Sequence, residues 1–330
     1  MREAACTRLQ AGTHTGMVTD KNRDKKNAAG GRLVLAATPI GNTGDASARL
    51  TELLRMADIV AAEDTRRLYD LANRLGVRVG GKVVAYHDHN EHLKVDGLLD
   101  GVERGAVVLV VSDAGMPTIN DPGLAIVRRA IERGLPVTCA PGPSAVLDAL
   151  ALSGLPTDRF CFEGFVPRKE SDRVRRLRSL LTETRTIVFY ETPQRIARTM
   201  DAFAEVFPSS RPMVLARELT KDYEEVRRST VADLRQSVID DPPRGEIVLV
   251  LQGASEEELR AAVASGADGV EAFDVDRLAR EADDLSRRGG LKPKDAIAAT
   301  VQAHPYADGS LANRKDVYAA MLRLRQKAVG

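Results

Sequence analysis

The sequence predicts an α/β protein built from two α/β/α domains and a small C-terminal helical module. From residue 32 onward, short apolar runs rich in β-branched residues alternate with amphipathic helical stretches. This alternation indicates strands and helices packed on a largely parallel, buried sheet. It pauses once, at the Gly- and Pro-containing residues 153–156, and then resumes. After Gly253 only helical patterns remain, so a third, all-helical unit is expected.

The first domain is predicted over residues 32–152, where each apolar run precedes a helix with apolar residues three and four positions apart. Its predicted strands are Leu33–Ala37, Ile59–Ala62, Val83–Tyr86, Ala106–Val111 and Val137–Cys139. Its predicted helices are Ser47–Met56, Thr65–Leu75, Glu91–Arg104, Leu124–Arg133 and Ala145–Leu152. The alternation predicts βαβ units with the sheet in the middle.

The second domain is predicted over residues 153–252 from a second alternating set. Its predicted strands are Arg159–Glu163, Thr186–Tyr190, Met213–Arg217, Glu224–Ser229 and Gly245–Gln252. Its predicted helices are Asp172–Leu181, Pro193–Phe207 and Val231–Ile239. Two α/β domains therefore meet near residues 153–158.

The two ends of the chain differ from these domains in composition. Residues 1–31 carry basic and small polar side chains without an apolar stretch, which indicates a disordered basic tail rather than a signal peptide. An acidic linker is predicted over residues 253–270, and a helix-turn-helix-like module over residues 271–330. The module's predicted helices are Asp274–Arg288, Lys292–Ala303 and Asn313–Gln326. Nine basic residues stand against three acidic ones in residues 285–330, which hints at a polyanionic partner.

Composition excludes several classes of protein. Hydrophobic residues make up 43% of the 330 residues, and no apolar run approaches the roughly 18 residues of a membrane span. Three cysteines at scattered positions predict neither a disulfide framework nor a zinc site, and are typical of the reducing cytoplasm. No two glycines are separated by a single residue, so a dinucleotide-binding G-x-G-x-x-G motif is excluded. The only Gly-Lys pair lacks the rest of a Walker A loop.

Polar and glycine-rich segments follow three predicted strands at the edge where an open α/β sheet binds its ligand. The first strand is followed by residues 38–42, where Gly41 would let the backbone approach a ligand. The fourth is followed by residues 112–117, and this strand end aims Asp113 into the crevice. The fifth is followed by residues 140–145, where Ser144 is placed to bind a ligand. Plain strand-to-helix turns and helix caps use the same residue types, so the pattern alone fits both a ligand-binding site and a purely structural turn.

Nine motifs in one order carry a family resemblance. They are residues 37–42, 61–66, 87–91, 112–117 with 120–123, 141–145, 158–165, 189–191, 215–221 and 245–249. Together they resemble the ribosomal RNA small subunit methyltransferase I family of the tetrapyrrole methylase superfamily. The resemblance covers residues 32 to about 252 densely and the helical module loosely. Thr43 and Met116 depart from the family pattern, so neither is assigned a ligand contact.

The resemblance implies an enzyme that uses S-adenosylmethionine to methylate the ribose 2′-oxygen of a cytidine in the decoding region of 16S ribosomal RNA. It also implies a homodimer, no membrane association, and two α/β domains with the cofactor in the cleft between them. The cofactor contacts that it implies are Ile40, Gly41, Asp113, Gly115, Ser144, Ala145, Phe165, Ala216 and Glu246.

The group that accepts the hydroxyl proton is less well defined. A ribose hydroxyl is a weak acid, so a nearby His, Asp or Glu is the usual acceptor. The candidates are His87 and Asp88, at the end of one strand, and Glu63 and Asp64, at the end of another. Metal binding by the histidines of residues 87–92 is disfavoured, because the reaction needs no metal and no distant Cys or His completes a ligand set. In the alternative, purely structural interpretation, these residues cap the next helix and bridge the subunits.

RNA affinity depends on phosphate contacts, so the RNA surface should be rich in arginine. The candidates are Arg66, Arg168, Lys169, Arg173, Arg175, Arg176 and Arg178. A solvated helix face would show the same charges. Two rival functions remain: a small-molecule methylase acting on a tetrapyrrole, and a non-catalytic nucleic-acid-binding protein whose C-terminal helices do the binding.

Overall fold

The computed structural model describes residues 30–265, 275–304 and 311–327. Residues 1–29 of the predicted basic tail lie outside these ranges. Residues 266–270 of the predicted acidic linker also lie outside them. The chain divides into two compact units, residues 1–144 and 145–330. The division falls before the helix Ala145–Ser153 rather than after it, because this helix packs on four strands of the second sheet.

The first unit is a parallel sheet covered by helices on both faces. Its elements are β1 (Arg32–Ala36), α1 (Ala48–Met56), β2 (Ile59–Ala62), α2 (Thr65–Arg74), β3 (Lys82–Ala85), α3 (Glu91–Glu103), β4 (Val107–Val111), α4 (Leu124–Glu132) and β5 (Val137–Ala140). All neighbouring strands in the order β3-β2-β4-β1-β5 are parallel, as the alternation predicts. Leu54 and Leu109 lie in the core on one face, and Leu99 and Val108 in the core on the other. A sheet buried on both faces explains the continuous apolar strands.

The second unit begins with a mixed sheet. Its elements are α5 (Ala145–Ser153), β6 (Phe160–Phe165), α6 (Glu170–Ser179), β7 (Thr186–Glu191), α7 (Ile196–Val206), β8 (Pro212–Arg217), β9 (Glu225–Thr230), α8 (Val231–Asp240) and β10 (Ile247–Leu251). The strand order is β6-β7-β10-β8-β9, and only β6 and β7 are parallel. This differs from the largely parallel sheet that the pattern predicts. The connection between β8 and β9 is too short for a crossover helix, so these strands form an antiparallel hairpin.

Four helices follow the second sheet: α9 (Glu256–Ser265), α10 (Val275–Gly289), α11 (Pro293–Ala303) and α12 (Arg314–Lys327). The last three confirm the predicted helices and bury Leu278, Ile297 and Val317 in a core of their own. Helix α9 lies within the predicted linker, where Ser255 and Glu258 cap each other's backbone N–H groups at 3.2 and 2.7 Å. Across the described ranges, no helix has both the length and the apolar character needed to cross a membrane.

Candidate functional site

The carboxyl ends of β1, β2, β3 and β4 bring the predicted polar segments to one edge of the first sheet, because parallel strands all end on the same side. Thr38, after β1, and Gly115, after β4, exchange backbone hydrogen bonds of 2.9 and 3.0 Å. The Thr38 hydroxyl also donates to the Ser112 carbonyl at 3.2 Å. Gly115 has a φ of 82°, which a glycine adopts without strain. The two predicted loops are therefore joined into one structure.

Two acidic side chains, those of Glu63 and Asp113, tie the ends of β2 and β4 together. The Glu63 carboxylate accepts a hydrogen bond from the Asp113 N–H at 3.2 Å. The Asp113 carboxylate in turn accepts one from the Asp64 N–H at 3.0 Å and lies 3.4 Å from Arg67 Nε. Asp64 accepts from Arg66 Nε and Nη2 at 3.1 and 2.7 Å. Sequence reasoning named Glu63 and Asp64 as candidate bases and Asp113 as a cofactor contact, and the structure brings the three residues together.

The environments of these carboxyls separate their pKa values. Burial raises the pKa of Glu63 and of Asp113, even though backbone hydrogen bonds act in the opposite direction. The hydrogen bonds from Arg66 hold the pKa of Asp64 well below its usual range. Burial, with help from the nearby Glu63 charge, raises the pKa of Asp121 to about 7. The edge thus holds one firmly ionised carboxylate and three carboxyls that take up a proton more readily than usual.

Asp121 lies in a loop with unusual backbone geometry that sequence reasoning identified only as a pair of turns. Thr118 and Asn120 have φ values of 76° and 65°, in the left-handed region that β-branched residues rarely adopt. The Gly123 N–H donates to Glu91 at 3.4 Å, which fixes the loop against the start of α3. The sequence Asn-Asp-Pro-Gly at residues 120–123 signals the turn. It gives no sign that Asp121 folds back into the acidic group.

The histidine segment after β3 is ordered by Asn90. The Asn90 amide donates to His87 Nε2 at 2.8 Å, and its oxygen accepts from the His87 N–H at 3.0 Å. His87 Nδ1 is buried and has no partner among the described residues. The rings of His87 and His89 meet edge to face with centroids 6.0 Å apart, and Asp88 is exposed. Within residues 30–265, 275–304 and 311–327, no three His, Cys, Asp or Glu side chains are grouped as metal ligands.

The turn after β5 approaches β1 closely. A Cβ on Gly142 would lie 3.0 Å from the Ala37 Cβ, so only glycine fits there without movement. Ser144 and Ala145 follow this turn and are half-buried. After β1, Ile40 is buried, whereas the next residue, Gly41, is exposed.

The other three predicted cofactor contacts lie in the second unit and differ in accessibility. Phe165 is 45% exposed, whereas Ala216 is fully buried inside β8. Glu246 is exposed and accepts a hydrogen bond from Lys221 Nζ at 3.0 Å. Lys221 also contacts Glu218 at 2.9 Å. Burial would lower the pKa of Lys221, but these two carboxylates outweigh burial and raise it. The side chain of Ala216 offers no surface to a ligand.

The predicted RNA-binding residues on and before α6 fall into two groups. Arg173 is buried and donates to the carbonyls of Pro167 and Arg168 at 3.4 and 3.1 Å, which makes it part of the scaffold rather than the surface. Arg176 donates to Glu163 at 2.8 Å. The exposed side chains are Arg66, Arg168, Lys169, Arg175, Arg176 and Arg178. Of these, Arg175 pairs with Asp172 at 2.7 Å and Arg178 with Glu205 at 3.1 Å.

Comparison with known proteins finds likeness to methyltransferases. Residues 32–235 match the family model of tetrapyrrole (corrin/porphyrin) methylases. A Mycobacterium tuberculosis H37Rv protein named ribosomal RNA small subunit methyltransferase I is 43% identical over 301 residues, covering 91% of this chain and 98% of that relative. An Escherichia coli O157:H7 protein of the same name is 41% identical over 245 residues, covering 73% of this chain and 85% of the relative.

Two solved structures share the fold. A conserved hypothetical protein from Aeropyrum pernix K1 superposes with a TM-score of 0.53 at 19% identity, covering 74% of this chain and 92% of that one. The methyltransferase CobJ superposes with a TM-score of 0.52 at 19% identity, covering 68% of this chain and 95% of that one. At these identities the likeness concerns the fold alone.

Proposed function

Because the chain belongs to the tetrapyrrole methylase family, and within it to the ribosomal RNA small subunit methyltransferase I proteins, we propose that it uses S-adenosylmethionine to methylate the ribose 2′-oxygen of a cytidine in the decoding region of 16S ribosomal RNA. The observation that supports this proposal most strongly is the joining of three motif segments, residues 37–42, 61–66 and 112–117, at one sheet edge. Thr38 is bonded to Gly115, and Asp113 links the ends of β2 and β4.

The donor set at this edge fits the proposed cofactor. S-adenosylmethionine, when bound, supplies an electrophilic methyl group on a cationic sulfur. An ionised carboxylate has about four acceptor positions, and Asp113 uses one for the Asp64 N–H and directs another toward Arg67. Positions therefore remain for ligand hydroxyls. We assign the binding surface to Ile40, Gly41, Asp113, Gly115 and Ser144.

We assign the removal of the ribose proton to the carboxyls of Glu63 and Asp121. A general base is most effective when its pKa lies near the working pH, and the pKa of Asp121 is raised to about 7. Asp64 is a weak base because Arg66 stabilises its ionised form. His87 already accepts the Asn90 amide at Nε2, and Asp88 is exposed to water. The pH dependence of the rate measures the titration of the group that accepts the proton.

The substrate that we propose is the RNA within the small ribosomal subunit, bound by a homodimer. The exposed basic side chains at residues 168, 169, 175 and 178 support an RNA surface on this chain. Light scattering of the purified protein tests the dimer. A monomeric mass at micromolar concentration contradicts it.

Transfer of tritium from labelled S-adenosylmethionine tests the activity. The substrates are small ribosomal subunits lacking the modification, free 16S RNA and a porphyrinogen. We expect label in the RNA of the subunits and none in the porphyrinogen. Label in the porphyrinogen would identify a small-molecule methylase instead. Binding of RNA without binding of S-adenosylmethionine would identify a non-catalytic RNA-binding protein.

A further inference from the structure

The edge strand β6 contains a β-bulge that changes the direction of one aromatic side chain. Phe162 pairs with Val188 of β7 and Phe165 pairs with Tyr190, so three steps along β6 match two along β7. In a regular strand, Phe165 would share a face with Cys161, which packs against the helix-covered core. The extra residue moves Phe165 to the opposite face, beside Phe162 and Tyr190.

The Phe165 ring packs against Tyr190, which packs in turn against Phe162. The Tyr190 ring lies 5.5 Å from Phe165 and 4.9 Å from Phe162, in tilted and edge-to-face arrangements that are favourable for aromatic pairs. Phe165 nevertheless stays 45% exposed. A ring that is held by its neighbours and open to solvent costs little conformational entropy when a flat ligand stacks on it.

The loop after Phe165 is held in place by two arginines. Arg195 Nη2 donates to the carbonyl of Val166, and Arg173 Nη1 donates to the carbonyls of Pro167 and Arg168 at 3.4 and 3.1 Å. The bulge is held from the same side, because Arg176 donates to Glu163. Three successive carbonyls are thus bound internally, and a rigid frame presents the side chains that follow Phe165.

Those side chains are cationic. Arg168 and Lys169 are exposed three and four residues after Phe165, with Glu170 as the neighbouring exposed acid. An aromatic ring beside cations on a fixed loop is how proteins bind single-stranded nucleic acid, because bases stack on the ring and phosphates meet the cations.

We propose that Phe165 is a stacking platform for an unpaired base of the RNA substrate, with Arg168 and Lys169 contacting the phosphates beside that base. This inference rests on the proposed function for the identity of the RNA. It replaces the cofactor contact that the family resemblance implies for Phe165.

The test compares three variants that alter aromatic residues of one strand. Phe165→Ala removes the platform, and Phe165→Trp keeps an aromatic ring. Phe160→Ala is the matched control, because Phe160 is 38% exposed on the same strand but lies at its opposite end. Fluorescence anisotropy with an RNA fragment of the decoding region gives the RNA affinity, and calorimetry with S-adenosylhomocysteine gives the cofactor affinity.

Stacking of one base is worth about 1–3 kcal/mol, so Phe165→Ala should weaken RNA binding by about 5- to 150-fold. Phe165→Trp should stay within about threefold of the wild type, Phe160→Ala should have little effect, and cofactor affinity should not change. Unchanged RNA affinity in Phe165→Ala, or a loss confined to the cofactor, overturns the proposal. Wild-type protein that binds RNA but transfers no methyl group refutes the proposed function and leaves the platform standing. Wild-type protein that binds neither this RNA fragment nor small ribosomal subunits refutes both.

Discussion

At the scale of single residues, the site depends on acidic groups of opposite character placed a few ångströms apart. Asp64 is kept ionised by Arg66, while burial makes Glu63, Asp113 and Asp121 easier to protonate. Positions near strand ends made Asp113, Glu63 and Asp64 predictable from the sequence. Asp121 was not predictable in this way, because its burial depends on a loop that folds back through left-handed residues.

Replacing Asp113 with Ala should weaken S-adenosylmethionine binding at least tenfold, because a hydrogen bond to a charged group is worth about 1.5–3 kcal/mol. Asp113→Asn is the control, since it keeps an acceptor for the Asp64 N–H that Asp113 binds at 3.0 Å. Calorimetry on folded variants measures both affinities. Wild-type affinity in Asp113→Ala would remove this residue from the cofactor site.

Replacing Asp121 with Asn should stabilise the protein more at pH 8 than at pH 5. Folding raises the pKa of Asp121 from 3.8 to about 7, so the folded state binds this proton more tightly than the unfolded state. Its contribution to stability is therefore greatest at low pH and is lost as pH rises through about 7. Asparagine does not titrate. Thermal unfolding at the two pH values measures the difference, and an equal change in Tm at both would contradict the buried, protonatable carboxyl.

At the scale of elements, the alternation of strand and helix patterns located the five strands of each sheet and most helices to within a few residues. It did not predict the strand order of the second sheet. There β10 lies between β7 and β8 and is antiparallel to both, and the periodicity of a strand does not show which strands it pairs with or in which direction. The bulge between Phe162 and Phe165 was likewise invisible, since its only local signal is one glycine, Gly164, with a φ of 68°. Helix α9 was missed, although the Ser-x-x-Glu signature at residues 255–258 could have predicted its start.

Variants of helix α6 distinguish the structural role of its buried arginine, Arg173, from RNA binding by its exposed arginines. Changing Arg175 and Arg178 together to Gln should weaken RNA binding and lower the slope of log affinity against log salt by roughly one to two, since each phosphate contact contributes about 0.7–0.9. Changing Arg173 to Gln should instead lower Tm, because Arg173 is buried on the loop carbonyls. Anisotropy at two salt concentrations and thermal unfolding measure the two effects. If neither variant changes RNA affinity, this helix is a solvated face and the RNA lies elsewhere.

At the scale of the whole molecule, the two sheets and the helical module have separate cores. The class of fold was therefore predictable from composition and alternation, because each core leaves its own pattern in the sequence. The end of the first unit was placed too late, since helix α5 follows the last strand of one sheet but packs on the other. The sheet on which a helix packs is set by tertiary structure, so a local sequence pattern does not predict it.

Removing residues 271–330 should leave cofactor affinity nearly unchanged and reduce methylation of ribosomal subunits. The helices that this deletion removes have their own core, and residues 285–330 carry an excess of basic side chains, so their loss should remove phosphate contacts and spare the sheet edge. Calorimetry and single-turnover methylation compare the truncated and full-length chains. A full rate on subunits from the truncated chain would show that the module does not bind substrate.

The measurement that tests the central claim most directly is nucleoside analysis of small ribosomal subunits treated with the enzyme and S-adenosylmethionine. Digestion to nucleosides and mass spectrometry separate a methyl group on the ribose from one on the base. We predict one new 2′-O-methylcytidine per subunit, mapped to the decoding region of the 16S RNA, and none when Asp113→Ala replaces the wild type at limiting cofactor. A methyl group on a base, or no methylated nucleoside at all, would contradict the assignment of this chain as a ribose methyltransferase.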